Sequence, residues 1–102
     1  MTVVGVQADL DHDLYLSQIR AILSQVLGDC EIYLFGSRAT NRHTDASDFD
    51  IGVLAARDVD RELSIARELL EASNIPVTVD LVDLSATSEE FAHQVRKRGI
   101  LL

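Results

Sequence analysis

Two apolar runs, FDIGVLA at residues 49–55 and VTVDLVDL at 77–84, are joined through one helical stretch. This arrangement constrains the fold more than any other feature of the chain. In the stretch 60–72, Leu63, Ala66, Leu69 and Leu70 recur at helical spacing, and Asn74 and Pro76 stop the pattern. A helical crossover between neighbouring strands makes them parallel, and the connection is right-handed. Upstream, EIYLF at 31–35 reads as a further strand, and its shorter link to residue 49 predicts an antiparallel pair. Leu16, Ile19, Leu23 and Val26 predict a helix over 9–27, with Gly28 where a C-cap glycine belongs. Thr87 and Glu90 fit a capping box that opens a last helix through Arg98, which Gly99 ends. The expected class is α/β (α+β): a three-stranded mixed sheet with helices packed on one face, formed by residues 1–102 as a single domain.

A chain of 102 residues builds a core but no deep enclosed cleft. Any substrate is expected on an open face or against a second chain, which leaves room for a homo-oligomer. The net charge of −8 repels polyanions and argues against general nucleic-acid binding. A chelated triphosphate remains compatible, because a bound cation inverts the local sign. Arg96, Lys97 and Arg98 read as helix-end cations that complement the dipole. The lone cysteine, Cys30, forms no internal disulfide and is expected to be a buried thiol. No apolar run approaches the roughly 20 residues of a membrane span. MTVVGVQADLDHD lacks the pattern of a signal peptide. A reducing, cytoplasmic setting is the expectation.

On a strand, successive side chains point to opposite faces. Asp48 and Asp50 therefore share one face, while Phe49 and Ile51 take the other. Two carboxylates so placed repel each other, and a divalent cation relieves that repulsion. Asp80 alternates with Val79 and Leu81, so a parallel neighbour of the second strand would bring it to the same patch. Asp83 falls on the opposite face and suits a surface or capping role. Three carboxylates around one or two metal ions are suited to transfer of a phosphoryl or nucleotidyl group. Gly36 and Ser37 follow the first strand and are expected to open a short helix whose free N–H groups cradle phosphate. Gly36 allows close approach, and Arg38 and Arg42 add positive charge. His12, His43 and His93 show no ligand spacing and read as surface residues. Ser64 and Ser88 lack triad partners, and Tyr33 and Phe35 read as core.

Taken together, Gly36-Ser37, ten residues, Asp48-Phe49-Asp50 and then Asp80 resemble the minimal branch of the DNA polymerase β-like nucleotidyltransferase superfamily. FGSRA, SDFDIGV and VDLVDL resemble the wording of that family along nearly the whole chain. The resemblance implies that Asp48 and Asp50 hold two Mg²⁺ ions. It implies that Asp80 completes the first metal site and helps activate the attacking hydroxyl, and that Gly36, Ser37 and Arg38 serve the β and γ phosphates of ATP. It further implies AMP transfer to a tyrosine of a HEPN-type toxin, with this chain as the antitoxin. Two alternatives are an antitoxin that neutralises its toxin by docking alone and the catalytic half of a small-molecule transferase of the aminoglycoside-modifying kind. The family often has Arg-Gly where this chain has Thr40-Asn41. Asn tolerates the left-handed backbone that such a glycine adopts.

Overall fold

The structure, a computed structural model, describes residues 3–102, with side chains from residue 11 onward. Met1 and Thr2, which the domain expectation of 1–102 includes, lie outside the described residues. The elements are α1 (Val3–Leu27), β1 (Glu31–Phe35), a 3₁₀ turn (Gly36–Ala39), β2 (Phe49–Leu54), α2 (Asp60–Glu71), β3 (Val79–Asp83), α3 (Glu89–Arg98) and β4 (Ile100–Leu101). The sheet order is β3-β2-β1-β4. β1 and β2 are antiparallel, and β2 and β3 are parallel, as the lengths of their connections predict.

β1 to β3 divide their side chains between two layers. Ile32 and Leu34 of β1, Phe49, Ile51 and Val53 of β2 and Leu81 of β3 enter the main core. There they meet Ile19, Leu23 and Leu27 of α1 and Leu63, Ala66 and Leu70 of α2. Phe49 is fully buried, and its truncation to Ala would cost about 3–5 kcal/mol. α2 also reaches the sheet by a polar contact, Arg67 Nη2 donating to the Leu81 carbonyl at 3.0 Å. α1 closes at Gly28, whose φ of +68° and N–H to the Ser24 carbonyl (3.1 Å) form a left-handed cap.

Several details depart from the sequence reading. The sheet has a fourth strand, because Ile100 and Leu101 pair with Leu34 and Tyr33. α1 and α2 share one face, but α3 lies on the other. Val95 and Ala92 of α3 join Tyr33, Leu84, Phe35, Leu54 and Val82, all from the second layer. Leu69 is exposed, since α2 presents Leu63, Ala66 and Leu70 inward. β3 begins at Val79 rather than Val77, although the Thr78 carbonyl already accepts from Phe49 N–H at 3.0 Å. His12 and His43 are half-buried rather than on the surface. Their rings stack at 4.7 Å between centroids, and His12 lies 5.4 Å from the Phe49 ring. Cys30 is likewise half-buried.

The cap of α3 is Ser88 rather than Thr87. Ser88 Oγ accepts from Phe91 N–H at 3.1 Å, whereas Thr87 Oγ1 donates to the Leu84 carbonyl at 3.0 Å. Ser88→Ala is therefore expected to cost about 1 kcal/mol. Glu90→Ala, which a capping box would make equally costly, should cost less than half of that. Denaturant melts of the two variants check the order.

Candidate active site

β1 delivers the chain to Gly36, whose φ is +74°. That left-handed residue turns the backbone into the 3₁₀ segment, and no side chain caps its first N–H groups. An ideal Cβ on Gly36 would lie 2.3 Å from Asp50 Oδ2, so the bare glycine backbone and the Asp50 carboxylate are immediate neighbours. The turn is then locked from below. Ser37 carbonyl accepts from Arg42 N–H at 3.0 Å and Thr40 N–H at 3.3 Å. Asn41 takes φ +58°, the left-handed conformation its short polar side chain tolerates.

Asp50 pairs in register with Asp80 across the parallel β2–β3 ladder, and with Phe35 across β1–β2. Aligned residues of a parallel pair project to the same face, so Asp50 and Asp80 stand side by side. Asp48 precedes β2 by one residue and is exposed, as is Asp80. The Asp50 carboxyl is pushed above the usual carboxylate range, first by burial and then by the negative charges of Asp80 and Asp48. Among the described residues no three His, Cys, Asp or Glu side chains close into a ready metal cage. The three aspartates form an electrostatic cluster whose most buried member, Asp50, resists ionisation. A divalent cation suits that donor set, because hard carboxylate oxygens on a glycine-walled face leave positions for water and phosphate oxygens. Asp83 stands apart from this cluster, and its Oδ1 accepts from Ser85 N–H at 2.9 Å.

A cleft of about 440 Å³ adjoins Gly36 and Ser37 and is also lined by Arg42, Phe91 and Arg98. A second cleft, also about 440 Å³, runs between Asp48 and Thr78. A third, about 390 Å³, reaches Asp80 along the outer side of β3. Asp48 thus lines the second cleft and Asp80 the third, while the cleft at Gly36 is lined by arginines and by no carboxylate. Arg38 lines none of the three. It is buried, and its guanidinium turns into the loop before Asp48. Arg98 was legible only as a helix-end cation, and nothing in local spacing shows that α3 ends beside Gly36.

The chain matches the family model "Polymerase beta, Nucleotidyltransferase" over residues 17–102. It belongs to the polymerase beta nucleotidyltransferase family. It is 33% identical over 91 residues to the "Probable protein adenylyltransferase MntA" of Haemophilus influenzae (strain ATCC 51907 / DSM 11121 / KW20 / Rd), with 85% of this chain and 77% of that protein covered. Against the "Protein adenylyltransferase MntA" of Shewanella oneidensis (strain MR-1) it is 45% identical over 71 residues, covering 67% of this chain and 49% of that one. Its fold matches a toxin–antitoxin crystal structure with AMP-PNP at TM-score 0.67 and 37% identity, over 83% of this chain and 69% of that one. A crystal structure of a mutant MntA-HpeT toxin–antitoxin matches at TM-score 0.61 and 37% identity, over 84% and 68%. The family is thus a nucleotidyltransferase one, and the similar proteins include two named as protein adenylyltransferases, one of them as probable, and chains of toxin–antitoxin crystal structures. Among the described residues no helix is long and apolar enough to cross a membrane.

Proposed function

We propose that this nucleotidyltransferase transfers AMP from ATP to a tyrosine hydroxyl of a HEPN-type toxin and serves as that toxin's antitoxin. The observation that carries the reading is the meeting of Asp50 with the Gly36 backbone on one side and with Asp80 on the other. That placement brings the uncapped, side-chain-free backbone at Gly36 up against an acidic cluster, an arrangement that suits nucleotidyl transfer.

Each residue then has a task. The uncapped N–H groups at Gly36 and Ser37 hold the β and γ phosphates. Arg42 and Arg98 line the same cleft and add positive charge where pyrophosphate departs. Asp48 and Asp50 would hold two Mg²⁺ ions, and Asp80 would complete the first site. When bound, Mg²⁺ offsets the charge on the transferring phosphoryl group and the leaving pyrophosphate. Asp80, exposed on β3, takes the proton of the attacking hydroxyl. A bond forms between the tyrosine oxygen and the α phosphorus as the bond from that phosphorus to the bridging oxygen breaks. The net charge of −8 suits docking on a basic ribonuclease. Residues 1–102 act as one domain in this reading, in the cytoplasm where ATP and Mg²⁺ are supplied.

ATP labelled at the α phosphate, Mg²⁺ and a co-expressed HEPN-type toxin are expected to give label on a toxin tyrosine, lost with chelator. Mg²⁺ plus ATP should raise the melting temperature by roughly 5 °C or more at saturation. A folded chain that neither labels the toxin nor shifts its melting would sink the reading.

A further inference from the structure

Arg38 is the one buried charged residue among the described residues, 5% exposed. Its Nε donates to the Ser47 carbonyl at 3.0 Å, and its Nη2 donates to the same oxygen at 2.8 Å. The Thr44 and Asp45 carbonyls each accept from Nη2 at 3.4 Å. The guanidinium carbon lies 4.0 Å above the centre of the Phe49 ring. Burial pushes the guanidinium pKa below its usual range, while Asp45 and Asp48 favour the charged form. A buried cation normally holds a carboxylate in a direct pair. Here three backbone carbonyls do most of that work, and all three precede Asp48.

The consequence falls on residue 48. The Ser47 carbonyl belongs to the peptide bond that ends at Asp48 N, so fixing that oxygen fixes the approach of the chain to Asp48. Phe49, on the other side, is held under the same guanidinium. One side chain thus clamps both neighbours of an exposed, otherwise loosely held carboxylate. The loop adds its own closure, since Thr44 N–H donates to Ser47 Oγ at 2.9 Å and Ser47 N–H to the Thr44 carbonyl at 3.1 Å. A phosphate ligand would have to present its fork to the cleft at Gly36 and Ser37. The arginines lining that cleft are Arg42 and Arg98.

We infer that Arg38 is a positioning residue that sets the Asp48 carboxylate in place, and that it is not a phosphate ligand; its importance for catalysis rests on the nucleotidyltransferase reading above. The planar fork is what the contact needs. A lysine keeps the charge but cannot reach one oxygen with two N–H groups while stacking on a ring.

The test uses the intact chain, Mn²⁺ alone as the metal probe and inorganic pyrophosphate in chelator as the phosphate probe. Arg38→Lys and Arg38→Gln are expected to weaken Mn²⁺ binding about tenfold or more, as loss of an outer support for a metal ligand does. Hydrogen exchange should accelerate at residues 44–48 and stay unchanged in α2. Pyrophosphate affinity should change less than about twofold, a split that general loosening of the fold would not produce. Lost pyrophosphate affinity with unaltered Mn²⁺ binding and loop exchange would overturn the inference. If neither variant folds, the Arg38 Nε–H signal of the unaltered protein decides. Slow exchange and no shift on adding pyrophosphate support the clamp; a clear shift with pyrophosphate overturns it. Absent Mn²⁺ binding by the unaltered chain would count against the metal reading, and the loop exchange would still decide whether Arg38 holds residue 48.

Discussion

Replacing Asp50 by Asn is expected to abolish AMP transfer and, in metal-free buffer at neutral pH, to make the protein more stable. The two effects share one cause. Asp50 sits in register with Asp80, and burial, Asp80 and Asp48 all push its pKa up. An acid whose pKa is higher folded than unfolded keeps its stabilising contribution at low pH and loses it as pH rises through the folded value. At neutral pH, above the ordinary carboxylate value, the group therefore opposes folding. An amide of the same shape carries no charge, and the opposition disappears. In a domain of this size 1 kcal/mol corresponds to about 4–8 °C, and solvent near the half-exposed group screens part of the repulsion. A gain of roughly 2–4 °C is expected on those grounds. The difference should shrink as pH falls from neutrality toward about 4, the ordinary carboxylate value, because the unaltered protein regains what it lost. Mg²⁺ should reverse the order, raising the melting temperature of the unaltered protein and not of the variant. Melting curves over pH with and without Mg²⁺, together with labelled transfer, check all of this. A variant less stable at every pH, or one that still transfers label, would show that Asp50 is an ordinary structural acid. A variant that still neutralises the toxin at equal dose would show that docking alone suffices.

That cluster was legible in the sequence because its logic is local. Alternation along β2 and β3 separates Asp50 and Asp80 from Phe49, Ile51, Val79 and Leu81, and the helical crossover makes the strands parallel. The apolar pattern excludes a one-residue slip, which would turn the core side chains outward, and the observed register pairs Asp50 with Asp80. What escaped the sequence depends on contacts between distant residues. β4 is two residues long and has no periodicity to read. The apolar residues of α3, Ala92 and Val95, say that one side is buried but not against which face of the sheet. His12 and His43 stack only because α1 crosses the loop before β2. Arg38 is the instructive case. Its charge is visible and its direction is not, since arginine is almost always solvent-exposed unless paired. Nothing in the residues 44–47 marks their carbonyls as a receptor for a guanidinium. Thr87 and Ser88 are adjacent capping residues, and a one-residue shift of helix phase decides between them.

Gly36→Ala should be the most damaging single methyl group in the site. Two separate costs fall on it. The backbone at φ +74° disfavours any Cβ by about 1 kcal/mol. The new Cβ would also lie 2.3 Å from Asp50 Oδ2 and 3.2 Å from its Cγ. The cheaper escape is for the Asp50 side chain to swing away, and that takes its carboxylate from the place beside Asp80. Relaxation and function are therefore opposed, and transfer should fall to background even if the fold survives. Gly28 separates the two costs. Its φ is +68°, and a Cβ there meets nothing within 4 Å, so Gly28→Ala measures the backbone cost alone. Gly36→Ala should exceed it by about 1–2 kcal/mol. Combining Gly36→Ala with Asp50→Ala removes the obstructing carboxyl, and most of that excess should vanish, giving a coupling energy of about 1–2 kcal/mol in a double-mutant cycle. Additive effects would mean that the Gly36 backbone and the Asp50 carboxylate do not touch in solution. The phosphate cradle and the acidic cluster would then be two separate features rather than one site.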